Sequence, residues 1–134
     1  MTHILYLSFA TFLSLAFIFD TNMKSENSNQ AKIGLESALL KLEDSGKPYL
    51  EYFENGSMRV GMYGPKEVDR QQPHDQDELY VIAEGSGSFI ADGVKHEFEK
   101  GDVLFVAAGV EHRFLEFSSN FRTWVFFYGP EGGE

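Results

Sequence analysis

The segment that decides the fold reads QPHDQDELYVIAEG over residues 72–85. In an extended strand, residues i and i+2 point the same way, so Gln72 and His74 are expected to share one face. Glu78 keeps that parity and leads into an apolar run, where a carboxylate is costly unless it is paired or bound to a cation. The segment therefore predicts a buried strand entered through polar side chains that are candidates for binding a cation. Two residues have the opposite parity and are expected to face solvent: Asp75 and Asp77.

A second segment, GDVLFVAAGVEH over residues 101–112, follows after a short interval. The two segments resemble the paired motifs of the cupin superfamily, G-x5-H-x-H-x3-E-x6-G and G-x5-P-x-G-x2-H-x3-N. The first is matched by His74, Glu78 and Gly85, and the second by Gly101, Gly109 and His112, all at the required intervals. Four positions depart from the motifs: Lys66 and Ala107 replace a Gly and a Pro, Gln72 replaces the first His, and Glu116 replaces the final Asn.

The resemblance implies a metal site inside a barrel, since cupins bind Mn, Fe, Ni, Cu or Zn through such residues. Carried over residue by residue, the ligands are His74, Glu78 and His112, with Gln72 in the remaining place. The implied cofactor is a divalent metal ion, with Fe, Mn, Zn and Ni as the candidates. Two His and one carboxylate suffice for the facial triad of non-haem Fe(II) oxygenases. The alternative is a cupin that has lost its metal and keeps these residues as a polar network.

Outside the two motifs, the chain alternates between short apolar runs and turn signals. Asp92-Gly93 between two such runs is a strong hairpin signal. We therefore predict an all-β fold, and the resemblance implies a double-stranded β-helix, or jelly-roll barrel, over residues 49–134. The predicted strands are Tyr49–Phe53, Met58–Tyr63, Leu79–Ala83, Ser88–Ala91, Val94–Phe98, Val103–Ala107, His112–Phe117 and Phe121–Tyr128.

Residues 23–48 are predicted to form a polar tether followed by one amphipathic helix on the periphery of the barrel. Within Ala31–Glu43, the apolar residues Leu35, Leu39 and Leu42 follow the spacing of one helical face.

Residues 1–22 contain an uncharged, mostly apolar run at 4–19, which suits the apolar region of a signal peptide. One alternative is a misassigned start, because Met23-Lys24-Ser25-Glu26 resembles the start of a cytoplasmic protein, and another is a retained membrane anchor. The first interpretation predicts a secreted or periplasmic protein, and the second a cytoplasmic one.

Other side chains are candidates for a ligand pocket. Arg59 and Arg122 are the basic residues best placed to hold a carboxylate, and Tyr63 and Tyr80 are further pocket candidates. His96 alternates with charged residues, matches no motif position and is expected to be exposed.

Composition narrows the classes of partner. With 21 acidic and 11 basic residues, a net charge of −10 and no basic stripe, the chain is a poor binder of nucleic acid or of anionic membranes. It has no cysteine, which excludes disulfides and thiol nucleophiles.

The aromatic last strand has no clean alternation, so both of its faces are expected to be buried. Because cupins also commonly pair, we expect a homodimer.

Three hypotheses about function follow. The first is a metal-dependent enzyme, a dioxygenase or an isomerase, acting on a small polar organic molecule. The second is a non-catalytic cupin that binds a small, sugar-like ligand. The third, compatible with either, is an interaction protein that dimerises through its last strand.

Overall fold

The computed structural model describes residues 31–134, so the predicted signal segment or early start and most of the tether lie outside it. One helix and eight strands are found in this range, and no helix there is long and apolar enough to cross a membrane. They are α1 Leu35–Ser45, β1 Tyr49–Asn55, β2 Met58–Tyr63, β3 Asp77–Glu84, β4 Ser86–Ala91, β5 Val94–Glu99, β6 Val103–Val106, β7 His112–Phe117 and β8 Arg122–Tyr128.

The strands form two antiparallel sheets, one of five strands in the order β1-β2-β8-β3-β6 and one of three in the order β5-β4-β7. Their inner faces enclose an apolar core, which is the jelly-roll barrel expected from the sequence. The predicted hairpin joins β4 and β5, where Asp92 and Gly93 have φ of 48° and 77°. Two successive positive φ values are the requirement of a type I′ turn.

The helix covers part of the outer face of the larger sheet. It begins at Leu35, later than predicted, because Gly34 before it keeps an extended backbone (φ −76°, ψ 135°). Ala38 and Leu42 are buried against Met62 of β2 and Ala83 of β3, as the apolar spacing predicted. The helix packs outside the barrel, so it does not fill the space between the two sheets.

Aromatic rings fill the space between the sheets, and Phe114 of β7 lies at their centre. It is 1% exposed. Its ring centroid lies 4.6–6.4 Å from five others, those of Tyr63, Tyr80, Phe89, Phe98 and Phe121. These contacts fix β7, and with it His112 at its first residue, relative to both sheets.

Candidate metal centre

His74, Glu78 and His112 come together at one end of the barrel. His74 lies in the irregular segment before β3, Glu78 is the second residue of β3, and His112 begins β7 in the other sheet. One candidate ligand atom from each residue lies within 4.8 Å of the other two. The structure thus brings together the two His and the Glu that the motifs single out, although 34 residues separate His112 from Glu78 along the chain.

Backbone carbonyls hold both imidazole rings. Nδ1 of His74 lies 2.6 Å from the carbonyl oxygen of Gln76, and Nδ1 of His112 lies 2.9 Å from that of Val110. A carbonyl only accepts hydrogen bonds, so each Nδ1 carries the proton and donates it. In the neutral ring, Nε2 then keeps its lone pair, which is the arrangement found in metal-ligating histidines.

Glu78 is fully buried at the centre of the group. Its Oε2 contacts Nε2 of His74, lies 3.3 Å from Nε2 of His112 and accepts a hydrogen bond from the Tyr80 hydroxyl at 2.6 Å. Its Oε1 has no hydrogen-bond partner among the described residues. A buried carboxylate oxygen without a partner is costly, and a bound cation would remove that cost. The donor set therefore fits a divalent metal ion.

The charges of this group shift the pKa values of its members. Burial lowers the pKa of His74, but the hydrogen bond and charge of Glu78 outweigh it, and the net shift is upward. Burial raises the pKa of Glu78, but the close contacts with His112 and His74 and the hydrogen bond from Tyr80 outweigh it, and the net shift is downward. Burial and the Glu78 charge raise the pKa of Tyr80 well above its usual value, so its hydroxyl remains a proton donor.

Gln72 is not brought into the group. It is exposed, because residues 64–76 form no strand and the alternation assumed for residues 72–74 does not apply. The neighbouring Gln71 points inward instead, and its Oε1 lies 2.9 Å from the Tyr80 hydroxyl oxygen.

Asp69, which sequence reasoning missed, fixes this segment to the barrel. It is 1% exposed and accepts hydrogen bonds from the Tyr63 hydroxyl at 2.7 Å, the Phe114 amide at 2.8 Å and the Gln71 side chain at 2.9 Å. Burial and the hydrogen bond to Asp69 raise the pKa of Tyr63. Asp69 thereby connects the segment that carries His74 to the strand that carries His112.

The prediction that Asp77 faces solvent is wrong, whereas Asp75 and His96 are exposed as expected. The Asp77 carboxylate accepts hydrogen bonds from the Ala108 amide at 2.9 Å and the Glu134 amide at 3.0 Å, because residues 129–134 pack over it. Hydrogen bonds from the Glu134 and Ala108 amides lower the pKa of Asp77.

Comparisons with known proteins agree with this architecture. Residues 59–123 match the model of the cupin domain family. An uncharacterized protein from Streptomyces coelicolor is 34% identical over 85 residues, which cover 62% of this chain and 81% of that protein. The chain belongs to the cupin family.

Solved structures of other proteins share the fold at low sequence identity. A Cupin 2 conserved barrel domain protein from Salinispora arenicola superposes with a TM-score of 0.52 at 16% identity, covering 60% of this chain and 74% of that one. The EutQ protein of Clostridium difficile has a TM-score of 0.52 at 20% identity, covering 63% and 67%. These likenesses concern the cupin fold alone.

Several cavities among the described residues include a residue of the candidate metal centre of this cupin, and two of them lie beside His74 and Glu78. The outer cavity, of about 510 Å³, is lined by Arg59, Pro73, His74, Asp75, Gln76, Gly129 and Glu131. The inner cavity, of about 170 Å³, is lined by Tyr49, Tyr63, Gln71, Glu78, Val125 and Phe127. Each cavity includes one residue of the His-Glu-His group, so a molecule in either can approach the metal centre.

The pocket candidates predicted from the cupin sequence fall into two groups. Arg59 lies at the outer cavity, where its guanidinium carbon is 4.7 Å from the centroid of the Phe127 ring. Tyr63 lines the inner cavity, and the Tyr80 hydroxyl touches Glu78. Arg122 is not brought to either cavity, because β8 directs it to the opposite face from Phe127, where it donates to the Phe121 carbonyl at 2.6 Å.

Metal binding by this cupin is expected to depend on pH. Because the pKa of His74 is raised, its charged form stabilises the metal-free fold fully at pH values below the ordinary histidine pKa of 6.5. This contribution is lost as the pH rises through the raised pKa of His74. Because the pKa of Glu78 is lowered, its charged form stabilises the metal-free fold fully at pH values above the ordinary glutamate pKa of 4.5. This contribution is lost as the pH falls through the lowered pKa of Glu78. Between 4.5 and 6.5 both contributions therefore stabilise the metal-free protein.

A metal ion requires the neutral imidazole, so it competes with the proton on His74. The rise in melting temperature caused by Mn²⁺ or Zn²⁺ should therefore be larger at about pH 8 than at about pH 6. Thermal unfolding at both pH values, with and without metal, measures it. A metal-induced shift that is equal at the two values, or larger at the lower one, contradicts this prediction.

Proposed function

We propose that this cupin is a metal-dependent enzyme, a dioxygenase or an isomerase, that acts on a small polar organic molecule. The proposal rests above all on one observation: the Nε2 atoms of His74 and His112 and the carboxylate of Glu78 converge, with both Nδ1 protons already committed to backbone carbonyls. This donor set suits the proposed divalent cofactor, Fe, Mn, Zn or Ni.

Two His and one carboxylate leave positions open for other ligands. A metal bound there would supply Lewis-acid polarisation of a substrate carbonyl or enolate, or a binding place for O₂. We assign the surrounding residues to holding and orienting the substrate. Tyr80 keeps its proton and donates to Glu78, so it steadies the carboxylate and is unsuited to act as a base.

Arg59 supports an anionic group on the substrate. Its guanidinium stacks on Phe127 beside His74 and donates to Gln76 Oε1 at 2.9 Å, while its ion pair with Glu51 is long at 3.8 Å. A guanidinium that is oriented in this way retains donors that can bind a carboxylate in two-point fashion. Arg59 at the outer cavity would therefore attract a small carboxylate or similarly polar molecule toward the candidate metal centre.

Metal analysis tests the proposal. Protein purified without chelator, or reconstituted with Fe²⁺, Mn²⁺, Zn²⁺ and Ni²⁺ in turn, should contain about one ion per chain. Oxygen uptake in the presence of candidate carboxylates then separates a dioxygenase from an isomerase. Metal contents that stay far below one ion per chain after reconstitution with every one of the four would refute the proposal.

A non-catalytic cupin that binds a small, sugar-like ligand is the second candidate. The observation that favours it is the exposed position of Gln72, which leaves three protein ligands where the family motif supplies four. Ligand-induced stabilisation separates the two candidates. A melting-temperature shift by ligand that chelator leaves unchanged favours the binding module, and one that chelator abolishes favours the enzyme.

We also propose that two copies pair through the outer face of the larger sheet. Next to the part that α1 covers, cross-strand neighbours Leu79 and Phe105, and Val81 and Val103, present apolar side chains. Phe105 is 54% exposed and Val103 is 58% exposed. Contiguous exposed apolar residues on a sheet are typical of protein interfaces.

Phe105→Glu is expected to convert a dimer into a monomer, since it introduces a charge into the centre of the proposed interface. Light scattering after size-exclusion chromatography measures the mass directly. Val94→Glu is the matched control, because Val94 is 57% exposed but lies on the smaller sheet. A wild-type protein that is monomeric at micromolar concentration, or a Phe105→Glu variant that stays dimeric, contradicts the proposal.

A further inference from the structure

The hydroxyl of Tyr49 is buried without a hydrogen-bond partner among the described residues. Tyr49 begins β1, and its ring lies against the backbone of Gly61 in β2. A Cβ at position 61 would come within 2.7 Å of the Tyr49 hydroxyl and within 2.5 Å of its ring. Glycine at that position therefore allows the ring to lie flat across the inner face of the sheet.

Tyr49 and Glu78 both line the inner cavity, and each of them has a buried polar atom without a hydrogen-bond partner among the described residues: the Tyr49 hydroxyl and Oε1 of Glu78. The other polar side chains of this cavity are already engaged, since the Tyr63 hydroxyl donates to Asp69 and the Gln71 amide contacts Asp69 and Tyr80. Val125 and Phe127 supply apolar walls. Two uncommitted polar atoms in one small, otherwise satisfied cavity indicate a place for a ligand with polar atoms of its own.

We propose that Tyr49 is a ligand-binding residue whose hydroxyl donates a hydrogen bond to an oxygen of a short-chain carboxylate, such as a 2-oxo acid, held in the inner cavity. This inference rests on the proposed function and names the substrate class for the same site. Burial, with a further contribution from the nearby Glu51 carboxylate, raises the pKa of Tyr49 to about 12, although no hydrogen bond of normal geometry joins the two groups. The hydroxyl thus stays protonated and able to donate.

Size and charge both favour a short carboxylate. The cavity volume of about 170 Å³ is below the range that accommodates drug-sized ligands. A divalent ion held by one carboxylate and two neutral imidazoles would keep a net positive charge, and Arg59 adds another at the outer cavity, on the side of His74. A small anion is therefore favoured over a neutral or cationic molecule, and its hydrocarbon part would contact Val125 and Phe127.

Pyruvate binding tests the inference. Titration calorimetry or ligand-observed NMR would give the pyruvate dissociation constant of metal-loaded wild-type protein, Tyr49→Phe and Tyr128→Phe. The loss of one hydrogen bond should weaken binding about fivefold to tenfold in Tyr49→Phe. Tyr128→Phe is the matched control, because the Tyr128 side chain lies on the outer face and lines neither cavity. Its pyruvate affinity should equal that of the wild type.

Gly61→Ala provides a second variant that retains the hydroxyl but displaces the ring that carries it, and it should also weaken pyruvate binding. Tyr49→Phe affinity equal to wild type, or metal-loaded protein that binds no pyruvate, would overturn the inference. Failure of the metal centre is detected separately by metal content. If the protein proves to bind no metal, pyruvate binding is measured on metal-free protein. Binding that Tyr49→Phe weakens would support the inference about Tyr49, and no binding would overturn that inference.

Discussion

Glu78→Gln is expected to remove the metal from this protein while leaving the barrel folded. The change replaces a fully buried carboxylate, which contacts both candidate histidine ligands, with a neutral amide of the same shape. Even partners that only support metal ligands typically contribute 10–100-fold in affinity, so the loss of a ligand's charge should cost more than about 100-fold. Competition with a chromogenic chelator would give the affinity, and elemental analysis the occupancy.

Gln72→Ala is the appropriate comparison for this variant. Gln72 occupies the position of a histidine ligand in the sequence motif, yet its side chain is exposed. The variant should therefore keep the metal affinity of the wild type within about twofold, as expected for a surface change away from the site. Unchanged metal affinity in Glu78→Gln would show that the ion, if bound, is held elsewhere.

Phe114→Ala should produce the largest loss of stability in the chain. Phe114 is 1% exposed and contacts five other aromatic rings between the two sheets. Truncating a buried phenylalanine to alanine typically costs about 3–5 kcal/mol of unfolding free energy, through lost burial and the cavity left behind. Urea denaturation of metal-free protein, followed by circular dichroism, measures the change without a contribution from metal binding.

Leu115→Ala gives the matched comparison at the next position of the same strand. Leu115 is 41% exposed, so its truncation should cost no more than about 1 kcal/mol. Equal losses in the two variants would mean that the aromatic cluster is not the principal core. A loss in Phe114→Ala below that of Leu115→Ala would contradict the prediction outright.

The all-β fold could be predicted from the sequence because its strand and turn signals are local, and the resemblance to cupins implied the barrel. The Asp92-Gly93 turn, where both residues adopt positive φ, is specified by two adjacent residues, and the alternating runs on either side of it form β4 and β5. The intervals that join His74 to Glu78 and Gly109 to His112 also lie within single segments. Patterns of this kind are set by neighbouring residues, so they can be read without knowledge of tertiary contacts.

The details around the metal centre could not be predicted because they depend on contacts distant in sequence. The resemblance to cupins assigned Gln72 to the site and alternation placed it on the face of His74, but the segment before β3 is irregular and turns Gln71 inward instead. Asp77 was expected to be exposed, yet amides of Ala108 and Glu134 bind its carboxylate. No local pattern predicts that residues 129–134 pack against it.

Asp69 and Tyr49 were missed for the same reason. The importance of Asp69 lies in its hydrogen bonds to Tyr63 and to the Phe114 amide, 45 residues away. The position of Tyr49 depends on the absence of a side chain at Gly61 in the facing strand. A glycine within a strand does signal close approach of another group, which was the one available hint.

The backbone carbonyls that fix the two imidazole rings have a consequence for metal selection. Because both Nε2 atoms are oriented before any ion arrives, little reorganisation is required for any divalent ion to bind, and three donors impose little geometry of their own. Discrimination would then follow the intrinsic order of stability of first-row complexes, in which Cu²⁺ and Zn²⁺ rank above Fe²⁺ and Mn²⁺. Because the protein would add little selectivity of its own, the ion recovered with it should depend on this order together with the supply of each metal in the growth medium. Cultures grown in iron-supplemented and zinc-supplemented media are expected to yield different occupants of one and the same site.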